Sequence, residues 1–89
     1  MFFEFKIWKK DKIIDSIYYK RRFCVDIMVQ PIAYITSHYI ELNKESVKCT
    51  KVEFNDGCKV LAVDQYTAFV NSYKAYLDGL KEKDTPSAN

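Results

Sequence analysis

The 89 residues predict an α+β domain: an antiparallel sheet of five or six strands closed by one C-terminal helix, with curling of the sheet into a small barrel left open. Three observations carry this. The first residues alternate, with Phe3, Phe5 and Ile7 on one side of an extended chain and Phe2, Glu4, Lys6 and Trp8 on the other. Asn55-Asp56-Gly57 separates two strand-like runs with a glycine able to take the positive φ of a tight hairpin. Tyr66, Phe69, Val70, Tyr73, Leu77 and Leu80 then recur at helical spacing as one apolar stripe.

The elements follow in chain order. Residues 2–8 read as a strand, Lys9 to Lys12 as a charged turn around Asp11, and residues 12–19, rich in Ile and Tyr, as a second strand. Lys20, Arg21 and Arg22 lead into a third strand over residues 23–29, stopped by Pro31. Residues 32–34 and 39–42 are strand-like, with a bend at Ser37 and His38, and Asn43 to Ser46 is a polar turn. Residues 47–54 and 58–63 flank the Asn-Asp-Gly turn, which brings Cys58 close to Phe54. Apolar residues change phase between Cys49 and Val52, so a bulge is expected near Thr50 and Lys51. Asp64 is the expected N-cap of a helix over residues 65–80, with Gly79 near its end. Residues 1–80 form one domain and residues 81–89 a disordered polar tail.

Composition narrows the function. Two glycines exclude a dinucleotide fingerprint and a P-loop, and one histidine excludes HExxH. Hydrophobic residues make up 48% and aromatics 16%, too apolar for a solvated disordered chain. No stretch approaches the roughly 18 apolar residues of a membrane span, and three cysteines without a secretory signal fit reduced thiols. A cytoplasmic protein without membrane partner or small-molecule cofactor is expected.

Charge is asymmetric although the net charge is only +2: residues 1–31 carry seven basic side chains against four acids. Lys9, Lys10, Lys12, Lys20, Arg21 and Arg22, interleaved with Tyr18, Tyr19 and Phe23, could serve a nucleic acid, with cations on phosphates and rings on bases. Such a run equally well guards a strand edge. Cys24, Cys49, Cys58 and His38 have suitable chemistry for zinc but lie nine or more residues apart, unlike paired knuckles. Neither a metal site nor a cysteine nucleophile is expected. Phe3, Phe5, Phe54, Tyr66, Phe69 and Tyr73 fall at core positions. Phe2, Trp8, one of Tyr18 and Tyr19, and Tyr76 do not, and exposed aromatics often mark a partner site.

Residues 32–77 pass through a strand ending Val-Glu-Phe, Asn-Asp-Gly, a strand ending Leu-Ala-Val, then Asp and an amphipathic helix. This order resembles the small accessory proteins of the FlbD flagellar type and is similar to the opening part of the LytTR DNA-binding domain. The chain adds an aromatic N-terminal region of 31 residues and ends before the Phe and His-Arg-Ser segment of LytTR, so no DNA-binding residue carries over. The resemblance implies a small sheet with a packed helix and an accessory or regulatory role.

Together these readings point to a non-enzymatic accessory or inhibitor module of a bacterium, phage or mobile element. Its partner would be a protein or a second copy, a homodimer, met through a sheet edge and Phe2, Trp8, Tyr18, Tyr19 and Tyr76. A nucleic-acid-binding module using the six basic residues is the alternative.

Overall fold

The computed structural model describes residues 2–13 and 17–84, the last four as backbone. Strands β1 (Phe3–Lys10), β2 (Tyr18–Val25), β3 (Ile32–Leu42), β4 (Glu45–Phe54) and β5 (Lys59–Ala62) precede helix α1 (Tyr66–Asp84). The sheet has the order β2-β1-β5-β4-β3, with every neighbour antiparallel. It stays open, so β2 and β3 are both edges, and the barrel does not form.

The alternation of β1 places Phe3, Phe5 and Ile7 against α1. They join Val25 of β2, Val52 and Phe54 of β4 and Ala62 of β5 under Phe69, which is completely buried. Phe69 meets Phe5 edge-on at 5.0 Å between ring centroids and Phe3 at 5.7 Å. Such tilted pairs add about 0.5–1.5 kcal/mol each beyond the area that they bury. Tyr73 and Tyr76, one and two turns on, also stack near Phe3, at 5.6 and 5.0 Å. The helix thus docks through Phe69, Tyr73 and Tyr76, while Tyr66 is left 43% exposed at its first turn. The stripe is rotated from the expected one: Tyr66 leaves the core and Tyr76 enters it.

Turn chemistry explains the connections. Gly57, at φ 89°, donates its amide to the Phe54 carbonyl, and the Asp56 carboxylate accepts from the Cys58 amide. The amide of Phe54 in turn donates to the Cys58 carbonyl at 2.8 Å, so the expected proximity of these residues holds. Asn43 and Lys44, both at positive φ, make the two-residue link between β3 and β4.

Several elements differ from expectation. One strand, residues 18–25, replaces the two read at 12–19 and 23–29. The Asp26 carboxylate accepts from the Met28 amide and its carbonyl from Val29 and Gln30, so the chain turns where alternation alone continues a strand. Residues 14–16 lie outside the described ones. β3 runs straight through Ser37 and His38, because an edge strand tolerates polar residues. β4 keeps its register past Thr50 and Lys51, and the irregularity lies instead in β3 at Ile32/Tyr34. The phase change has another cause: Cys49 and Thr50 are both buried on opposite faces. Thr50 Oγ1 donates to the Asp64 carbonyl at 2.8 Å, satisfying its hydroxyl and pinning the approach to α1.

The helix starts one residue later than expected, with the Gln65 carbonyl accepting from Phe69, and Asp64 sits one position before the cap. It also passes Gly79 and runs to Asp84, so the first residues of the presumed tail are helical. Residues 85–89 are outside the described ones. Among the described residues no helix is long and apolar enough to cross a membrane.

Candidate functional site

Two surfaces remain once the helix has covered one face of the sheet. The first is the free edge of β3. It is 11 residues long, reads Ile-Ala-Tyr-Ile-Thr-Ser-His-Tyr-Ile-Glu-Leu, and holds no lysine, arginine or proline. Tyr34 and Tyr39 flank it on opposite faces, 65% and 55% exposed. Beside Ser37, an open groove of about 770 Å³ runs between the edge hairpin and the first turns of α1, lined by Lys48, Tyr66 and Asn71. The other edge, β2, contrasts sharply: Lys20, Arg21 and Arg22 stand in its middle.

The second surface is the face away from the helix. Register places Lys20, Trp8, Leu61, Lys51 and Thr36 in one row across all five strands. The Lys20 ammonium lies 5.4 Å from the centre of the Trp8 ring, close enough for a cation–π contact. Trp8 is half-buried, and its indole Nε1 has no hydrogen-bond partner among the described residues. A cleft of about 360 Å³ beside it is lined by Lys9, His38, Lys51, Lys59 and Leu61. Arg22 pairs with Glu4, and Lys59 approaches Glu53 at 3.9 Å. Lys6, Lys20 and Lys51 have no carboxylate at ion-pair distance among the described residues.

The expected aromatic site does not assemble as one patch. Phe2 is 64% exposed at the start of β1, while Trp8 lies six residues along, roughly 20 Å away in an extended strand. Tyr18 shares the open face with Trp8 and has the Lys10 ammonium 5.8 Å from its ring. Tyr19 points to the opposite face, 46% exposed. Tyr76 belongs to the core instead: burial, then the nearby Asp26 carboxylate and Tyr73, push its phenol up.

The six basic residues divide likewise. By register Lys10, Lys20 and Arg22 lie on the open face and Lys9 and Arg21 on the helix side, and a smaller cleft of about 280 Å³ beside β1 and β2 is lined by Lys9, Arg21, Arg22, Phe23 and Val60. Lys12 sits in the turn after β1. Sequence reasoning passed over Lys6, Lys51, Lys59, Tyr34 and Tyr39. Alternation alone puts Lys6 beside Trp8, but Lys51 joins them only through the pairing of three strands.

The cysteines stay apart. Cys24 and Cys58 are exposed and Cys49 is buried opposite His38, where burial pushes its thiol up and away from the thiolate that a nucleophile requires. Asp56, by hydrogen bond and charge, pushes the Cys58 thiol up as well. No group of three or more His, Cys, Asp or Glu residues is placed to hold a metal ion among the described residues.

Compared with protein-family models, curated proteins and solved structures, the chain has no match.

Proposed function

We propose that this chain is a small non-enzymatic interaction module of accessory type, and that its first partner is a second copy joined edge to edge through β3. The observation that carries the reading is the contrast between the two edges. Cations in the middle of β2 discourage strand addition, and β3 has no such guard over 11 residues.

An antiparallel β3–β3 pairing about a two-fold axis at Ser37 is self-complementary. It would set Tyr39 against Ile35, Tyr34 against Ile40 and His38 against Thr36, with no like charges opposed. Each main-chain hydrogen bond would contribute about 1 kcal/mol net, and the exposed tyrosines would supply flanking apolar contact. Two five-stranded sheets would merge into one of ten strands.

Sedimentation equilibrium tests this over a wide concentration range. A reversible dimer is expected, and Ser37→Lys, which sets two ammonium groups opposite one another at the axis, should abolish it while circular dichroism stays unchanged. A monomer at every concentration, or a dimer indifferent to Ser37→Lys, overturns the reading.

A further inference from the structure

Beyond the strand edge, we infer that the face of the sheet away from α1 binds single-stranded nucleic acid, with a base stacked on Trp8 and phosphates on the surrounding lysines. Around Trp8 this face carries, among the described residues, the five cations Lys6, Lys20, Arg22, Lys51 and Lys59 against the two carboxylates Glu4 and Glu53. Both carboxylates already face a cation, Glu4 with Arg22 and Glu53 with Lys59. The surplus charge therefore calls for an anion, and its spread calls for an extended one: Lys20 and Lys51 stand three strands apart, roughly 14 Å.

The centre of the row selects the class of anion. A phosphate or an acidic peptide uses lysines alone, whereas a half-buried indole between two lysines presents a π-face to a planar base. A base arriving there takes the place of the Lys20 ammonium, which turns to the adjoining phosphate. The unpartnered Trp8 Nε1 gains an acceptor from the ligand; a buried donor left unsatisfied costs about 1–3 kcal/mol. Bases stacked within a duplex do not offer the free face that this requires, so the single strand is preferred.

Trp8 is the only tryptophan in the chain, so its fluorescence reports the stacking directly. An oligothymidylate of about twelve nucleotides, within the usual span of a single-strand site, should quench it at low salt. With Lys6, Lys20 and Lys51 on phosphates, the logarithm of the binding constant should fall with the logarithm of salt at a slope of about −2. Lys20→Ala/Lys51→Ala should cut that slope by about two-thirds and weaken binding at least about tenfold, and Arg21→Ala, on the other face, should change neither. The oligouridylate of equal length should quench similarly. Absence of quenching at low salt, tighter binding of a duplex of the same length, or a slope untouched by Lys20→Ala/Lys51→Ala overturns the inference.

Discussion

Phe69 is the side chain on which the packing of α1 turns, since it is fully buried between Phe3 and Phe5. Phe69→Ala should lower the unfolding free energy by about 3–5 kcal/mol in urea melts, with much of the loss coming from the cavity left behind. Cys49 makes a second prediction at this scale. Burial raises its pKa in the folded chain above that of the unfolded chain, so its contribution is complete below about pH 8.5 and is lost as pH rises toward the folded value. Tyr73, raised by burial too, acts in the same sense at higher pH. Thermal melts should therefore show a falling Tm on the alkaline side, and Cys49→Ala should flatten the first part of that fall; a profile level through this range would contradict the assignment. The residues legible from sequence are those governed by local period. Phe3, Phe5 and Phe69 announce themselves, whereas the exchange of Tyr66 for Tyr76 in the core follows from where the helix lies on the sheet, which no local pattern records.

Among the elements, the hairpins differ in how well their turns suit them. Gly57 already occupies its positive-φ position, but Lys44, at φ 66°, holds a conformation that costs a side-chain-bearing residue about 1–2 kcal/mol. Lys44→Gly should accordingly stabilise the fold, by about 1 kcal/mol after the greater entropy of glycine in the unfolded chain is allowed for, as read by chemical denaturation. The Asn-Asp-Gly hairpin and the helix were legible because turn residue and period agree there. β2 was not. Its neighbours Ile13 and Ile17 have strand composition yet lie outside the strand, with Asp11 accepting from the Ile13 amide, and Ile27 continues an alternation that Asp26 has already bent away from the strand. Side-chain capping by a single aspartate outweighs several residues of β-propensity in both places.

Over the whole molecule, both proposed surfaces are what the helix leaves uncovered. One helix shields one sheet face, and the narrow join between β1 and β5, from Ile7↔Ala62 to Trp8↔Leu61, brings the N-terminal hairpin beside the β3–β4–β5 meander. That join sets Trp8 between Lys20 and Lys51 and leaves β3 as an unguarded edge. The basic N-terminal run was visible in the sequence, but its division between two faces was not, nor was the edge position of β3, because strand order depends on pairings distant along the chain. The central claim is that β3 meets its own copy at Ser37. In a background of Cys24→Ser and Cys58→Ser, which removes the two exposed thiols, Ser37→Cys brings two thiols opposite each other across the axis, at about the 4.5–5.5 Å Cα separation that a disulfide accepts. Mild oxidation of this variant in its folded state should convert it to a covalent dimer on a non-reducing gel, while a chain that stays monomeric under the same oxidation contradicts the account.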